Sequence, residues 1–158
     1  MHSNEIFIEQ VKDAVEKAEI VKEVLHDLPE WFGLPESTKE YIEQSRKLPL
    51  FVARNSDQII GFITLQATSE AVCEIHCMGI KKKFHRQGIG QKLYNAIEQF
   101  AKESYEFVQV KTVDEGHYEE YDQTIAFYKK LGFQKMEVFP ALWDEWNPCL
   151  IMIKKINH

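Results

Sequence analysis

The feature that most constrains this chain is a β-rich run from Ala71 to Ile80, a short basic connector, and Gly88-Ile89-Gly90 at the mouth of a helix that reaches about Ser104. A turn of this kind leaves several backbone N–H groups unpaired at the positive end of a helix dipole, which makes an anion site. Glycine lets the backbone approach a phosphate closely, and Arg86 with Lys81, Lys82 and Lys83 adds positive potential. Pyrophosphate is the guest this arrangement suits. Gly-x-Gly also occurs in ordinary tight turns, so the motif alone does not specify a ligand. Two competing phosphate motifs do not fit. Leu93 stands where a dinucleotide fingerprint needs its third glycine, and no Gly-Lys-Ser/Thr follows as a P-loop requires.

The flanking pattern is mixed. Ile6, Ile8 and Val11 alternate as a short strand, and Val15, Ala18, Val21, Val24, Leu25 and Leu28 follow at helical spacing up to Pro29. Trp31, Phe32 and Leu34 form an apolar corner. Ser37 with Glu40 reads as a capping box opening a second helix, which stops before Pro49. Leu50 to Arg54 and Ile59 to Gln66 are strands joined by Asn55-Ser56-Asp57-Gln58, turn residues of an antiparallel hairpin. On the helix after the glycines, Leu93, Tyr94, Ile97, Phe100 and Ala101 share one face. Phe107 to Thr112 is the next strand, Thr124 to Leu131 a short helix closed by Gly132, and Phe133 to Val138 and Cys149 to Lys155 the last strands.

At 158 residues and 44% hydrophobic composition the chain fits one compact domain, 1–158, with a core that needs neither disulfides nor metal. Its three cysteines, Cys73, Cys77 and Cys149, form no framework, so a reducing compartment, the cytoplasm, is the expectation. No stretch suits a signal peptide or the roughly 18 apolar residues of a spanning helix, which argues against a membrane. A formal charge of -6 argues against nucleic acid as the main partner and favours cationic or neutral ligands.

The run Ala71 to Ile80, the turn His85-Arg86-Gln87-Gly88-Ile89-Gly90 and its helix resemble the acyl-CoA-binding motif of the GNAT superfamily of acetyl-CoA-dependent N-acetyltransferases, Gln/Arg-x-x-Gly-x-Gly/Ala. His85 replaces the usual Gln or Arg at the first slot. Downstream, Ile125-Ala126-Phe127-Tyr128-Lys129-Lys130-Leu131-Gly132-Phe133 is similar to the family's Ala-x-x-Phe/Leu-Tyr-x-x-x-Gly-Phe block, with Tyr121 and Thr124 at positions often filled by Asn and Ala. The likeness runs from about Leu50 to the C-terminus. It implies an α/β (α+β) fold: a mixed, mostly antiparallel central sheet of about six to seven strands flanked by about four helices, with a splayed V between the fourth and fifth strands. It also implies acetyl-CoA as co-substrate, contacted by Met78, Gly79, Ile80, His85, Arg86, Gln87, Gly88, Ile89, Gly90, Gln91, Phe127 and Tyr128.

Amine acetylation needs a base for the amine, a donor for the thioester carbonyl and an acid for the departing thiolate. The resemblance assigns the acid to Tyr128 and the base to Glu74, fourteen residues before Gly88. His76 is the runner-up base, on the same face as Glu74 by strand alternation. The resemblance also implies that backbone N–H groups near Met78 and Gly79 are the carbonyl donors, at a strand bulge that Gly79 would ease. Transfer is expected to be direct, within a ternary complex. A metal is not expected, since Cys73 and Cys77 on one strand lie about 13 Å apart, too far for one tetrahedral zinc.

The acceptor is less constrained. Asp114, Glu115, Glu119, Glu120 and Asp122 crowd one loop, which either faces water or welcomes a cationic amine. Trp143, Trp146 and Pro148, with Trp31 and Phe32, suit an acceptor wall, aromatic core packing or a homodimer contact. A primary amine on a small molecule is the leading acceptor. A protein or peptide acceptor, and a non-catalytic CoA-binding module, are the alternatives.

Overall fold

A computed structural model of the protein describes residues 5–56 and 58–157; Met1 to Asn4, Asp57 of the hairpin turn and His158 lie outside the described residues. In chain order the elements are β1 (Phe7–Val11), α1 (Ala14–His26), α2 (Pro35–Ser45), β2 (Leu50–Arg54), β3 (Ile59–Ala67), β4 (Val72–Ile80), a 3-10 turn (Lys82–Phe84), α3 (Ile89–Ala101), β5 (Phe107–Val113), α4 (Glu119–Lys130), β6 (Gln134–Asp144) and β7 (Asn147–Lys155). The strands hydrogen-bond in the order β1-β2-β3-β4-β5-β7-β6. The β4–β5 pair is parallel, because α3 carries the chain back between them. The β1–β2, β2–β3, β5–β7 and β6–β7 pairs are antiparallel. This is the mixed sheet with helices that the motifs imply. The β4–β5 register runs from Val72↔Phe107 to Glu74↔Gln109, a short ladder for strands of nine and seven residues.

The chain divides into two compact units, Met1–Gln66 with His76–Phe100, and Ala67–Ile75 with Ala101–His158. In the first, α1 buries Ile20, Val21, Val24 and Leu25 against Leu50, Val52, Phe62 and Cys77 of the strands, with Leu28 closing the cluster. Each fully buried aliphatic chain contributes about 1.5–3 kcal/mol. Asp13 caps α1 by accepting from the Glu16 N–H at 2.8 Å. The helix ends at His26, before Pro29, so the proline follows the stop instead of making it. Nearby, Lys17 is buried and donates to the Leu48 carbonyl at 2.8 Å, tying α1 to the entry of β2; burial lowers its pKa, against the opposing charge of Asp13.

The capping box expected at Ser37 is not used. Helix α2 starts earlier, with Pro35 in its first turn and Leu34 at the cap position, and no side chain accepts there. Proline's fixed φ and missing N–H suit a first helical turn, which outcompetes the local Ser37–Glu40 signal. On α3, Leu93, Tyr94, Ile97 and Ala101 are buried as their spacing predicts, Phe100 of the same face is half-buried, and Ile89 is buried as well.

In the second unit β7 lies between β5 and β6, pairing with both. Helix α4 begins at Glu119, five residues before the expected start, because three acidic residues in its first turn complement the helix dipole. Strand β6 runs on to Asp144, whose carboxylate accepts from the Trp146 and Asn147 N–H groups and closes the turn into β7.

Candidate active site

The glycine turn belongs to the first unit. Gly88 has φ 76°, and a methyl group added there would meet nothing within 4 Å, so glycine is needed for conformation and not for space. Arg86 has φ 64°, the one positive value at a non-glycine residue among those described. Two left-handed residues flanking Gln87, directly before a helix N-terminus, shape the backbone into the kind of nest that collects N–H groups around an anion. The strain at Arg86 is of order 1–3 kcal/mol and marks a site held for a purpose. Arg86, Gln87 and Gly88 are exposed, whereas Ile89 and Gly90 are buried and anchor the helix start.

The basic connector is not the free cationic patch its composition suggests. Lys81 pairs with Glu23, and Lys82 with Glu30. The backbone N–H of Lys82 donates to Asp27 Oδ2 at 2.7 Å. Lys83 stacks over Phe84, 5.2 Å from the ring centre. Among the described residues Lys83 and Arg86 are the connector cations without a carboxylate partner, so they supply the local positive potential. His85, though exposed, bonds back to the strand: its Nε2 lies 2.6 Å from the Ile80 carbonyl, which only accepts, so Nε2 carries the proton and donates. The Trp31 ring meets the imidazole edge-on at 5.8 Å. His85 thus braces the turn against the end of β4.

Gly79 sits under α1, and a methyl there would come within 3.0 Å of Val24 Cγ1 and 3.1 Å of Leu28 Cδ1. Close packing against α1 favours glycine here. The same backbone presses on β3, since a methyl on Gly61 would lie 2.6 Å from the Gly79 carbonyl. Met78 and Ile80 are half-buried beside it. His76 is engaged at both nitrogens. Its Nε2 donates to Gln44 Oε1 at 2.6 Å, an amide oriented by Nε2 donation to Glu40 at 3.2 Å, and its Nδ1 lies 3.3 Å from Thr64 Oγ1. The first unit also holds a cavity of about 490 Å³ between α1 and α2, bordered by Lys22, His26, Lys39, Pro29, Phe32 and Ile42. Its rim is cationic, and Phe32 is part of its wall.

In the second unit Tyr128 is 4% exposed, its ring edge-on to Phe127 at 5.1 Å and Phe133 at 5.2 Å. The Tyr128 carbonyl accepts from Phe133 N–H at 3.0 Å across the Gly132 turn, so Phe-Tyr-x-x-x-Gly-Phe builds its own cage. Glu74 stands opposite Gln109 in the parallel ladder. Gln109 Nε2 donates to Glu74 Oε1 at 2.7 Å, and Lys111 Nζ lies 3.5 Å from the same oxygen. The carboxylate is 12% exposed, oriented by two side chains that motif reading did not single out. Their signal was the strand alternation of Gln109 and Lys111.

Much of the acidic loop is structural. Glu115 bonds Lys135 at 2.8 Å and Lys129 at 3.2 Å, and these two ammonium groups, Lys135 first, hold its pKa below the usual carboxylate value. Asp122 accepts from the Gly116 N–H at 3.0 Å, while Glu119 and Glu120 cover the α4 N-terminus. Trp146 and Trp143 are exposed, at 71% and 46%. Pro148 accepts from the Asp114 N–H at 2.9 Å. The three cysteines are free and buried, and burial pushes Cys73 and Cys149 up to about 11 and Cys77 higher still. Among the described residues no group of three or more His, Cys, Asp or Glu is placed to hold a metal, and no helix is long and apolar enough to cross a membrane.

The fold is shared with acetyltransferases of known structure. A GNAT-family protein from Desulfovibrio desulfuricans superposes with TM-score 0.81 at 15% identity, over 96% of this chain and 99% of its own. An aminoglycoside 6'-N-acetyltransferase complexed with coenzyme A gives 0.76 at 20% identity, over 96% and 98%. The ribosomal-protein-S18-alanine N-acetyltransferase from Escherichia coli gives 0.75 at 15%, over 98% and 96%. No curated protein matches the sequence. Residues 46–135, more than half of the chain and inclusive of both motifs, match the family model described as an acetyltransferase (GNAT) domain, and the protein belongs to the GNAT acetyltransferase family.

Proposed function

We propose that the protein is a single-domain N-acetyltransferase that moves acetyl from acetyl-CoA to a primary amine of a small molecule, by direct attack in a ternary complex. The observation that carries this reading is the strained nest at Arg86 and Gly88 opening α3, whose N–H groups suit an anion such as a pyrophosphate. The motif resemblance supports His85–Gln91 and Met78–Ile80 as cofactor contacts in the first unit, and Phe127 and Tyr128 as cofactor contacts in the second. His85, bonded to Ile80, acts on the turn and leaves phosphate contact to the backbone of Gln87–Gln91 and to Arg86. That one structural neighbour is complexed with coenzyme A supports the choice of cofactor. The full-length superpositions support one domain.

In the reaction the neutral amine attacks the acetyl carbon, the C–S bond breaks, and the amide forms. Tyr128 protonates the departing thiolate, and Glu74 takes the proton released by the amine, directly or through water. Glu74 is favoured over His76 because both ring nitrogens of His76 have protein partners, while the Glu74 carboxylate is oriented by Gln109 and Lys111. The acceptor is a small amine; the pairing of Glu115 with two lysines leaves Glu119 and Glu120 as the acidic residues best able to greet a cation. A peptide acceptor is the second reading, since one neighbour acts on a ribosomal protein.

The test is thiol release from acetyl-CoA across a panel of free amines and lysine-containing peptides, with Tyr128→Phe as control. Turnover with amines that peptides do not inhibit supports the proposal. Tight CoA binding with no thiol release for any acceptor would replace it with a non-catalytic CoA-binding module.

A further inference from the structure

The end of α1 breaks a local rule. Glu23 lies in its last turn and Asp27 at its C-cap, where the helix dipole is negative and a carboxylate is opposed by about 0.3–1 kcal/mol. Glu23 and Asp27 are four residues apart at the end of α1, and Glu30 lies in the turn that follows Pro29. Each is matched: Glu23 to Lys81, Asp27 Oδ2 to the Lys82 N–H, and Glu30 to Lys82, whose ammonium holds the Glu30 pKa low. Trp31 follows and meets His85, which is itself bonded to Ile80. Every one of these contacts falls on the connector 81–85, immediately before the strained Arg86.

A carboxylate set against a dipole persists where its partner repays the cost, and strain at Arg86 persists where its surroundings over-determine it. We propose that Asp27, with Glu23, Glu30 and Trp31, is a positioning device for the cofactor turn: it clamps the connector so that Arg86–Gly90 keeps its anion-binding shape. Asp27 is the centre of the device because it holds main chain, which a lysine side chain cannot evade by changing rotamer. The inference rests on the reading of the turn as the CoA site. It further links the α1–α2 end of the first unit to cofactor affinity.

The test compares Asp27→Ala with Asp27→Asn, whose amide oxygen still accepts from Lys82 N–H. Hydrogen exchange of the amides of residues 82–90 is measured in the free protein, and CoA affinity by calorimetry. Asp27→Ala is expected to speed exchange across 82–90 and to weaken CoA about tenfold, raising KM for acetyl-CoA with kcat at saturation unchanged; Asp27→Asn is expected to stay within about threefold of the parent. Should Asp27→Ala fold poorly, Glu30→Gln at an exposed position is expected to reproduce a smaller increase in exchange. Unchanged exchange at 82–90 overturns the proposal, as does faster exchange with unchanged CoA affinity. If Asp27→Ala speeds exchange across 82–90 but the parent itself binds no CoA, the cofactor reading is refuted and with it the role in cofactor affinity, whereas the clamp on the turn stands.

Discussion

Replacing Gly88 with alanine separates conformation from ligand contact. The added methyl meets nothing within 4 Å, so the folded-state penalty comes from φ alone, at 76°. A left-handed conformation costs an L-residue about 1–2 kcal/mol. For a chain of this size that corresponds to a fall in Tm of about 2–8 °C. Gly116 is a matched control: its φ is 89°, and a methyl there also meets nothing within 4 Å. Gly116→Ala should therefore cost similar stability. The two variants part on binding. If the turn amides approach a phosphate, the methyl at residue 88 obstructs them, and losing one hydrogen bond to a charged group is worth about 1.5–3 kcal/mol. That is a rise in Kd for CoA of about 10- to 100-fold. Urea unfolding and calorimetric titration with CoA read the two quantities separately. The reasoning is refuted if Gly88→Ala binds CoA as the parent does, or if Gly116→Ala weakens binding as much.

Tyr128→Phe keeps the ring between Phe127 and Phe133 and removes the acid, so kcat is expected to fall about 10²- to 10⁴-fold with CoA affinity little changed; equal turnover by stopped assay of thiol release would remove Tyr128 from the mechanism. The native thiols should resist iodoacetamide at about pH 8, since burial raises Cys73 and Cys149 to about 11, and react after unfolding in urea, as mass spectrometry would show; rapid labelling of the folded chain would contradict their burial. Glu115 has a lowered pKa in the folded state, so its ion pairs stabilise above its unfolded value and lose that effect as pH falls through the folded one. The difference in urea midpoint between the parent and Glu115→Gln should accordingly be present at neutral pH and shrink progressively as pH falls below the ordinary carboxylate range.

The alternation of β2, β3 and β4, the period of α3 and the Gly88-Ile89-Gly90 turn were legible in the chain because each depends on neighbours a few residues away. So was the turn at Gly132 that closes α4, and the ring packing of Tyr128 with Phe127 and Phe133, which the structure adds, is equally local. Local signals failed where two of them competed, as at Ser37 against Pro35, or where charge at a helix start outweighed apolar spacing, as in α4. Composition made Lys81 and Lys82 look like phosphate partners. Folding brings residues 23, 27 and 30 against 81 and 82, separations that no periodicity encodes, and the lysines are neutralised there. The same holds for Glu74, whose Gln109 and Lys111 partners arrive across a parallel ladder, and for His76, reached by Gln44 from 32 residues away. Chemistry carried by a motif is written along the chain; which charges stay free around that motif depends on contacts between distant segments, which form as the apolar core is buried and set those charges side by side.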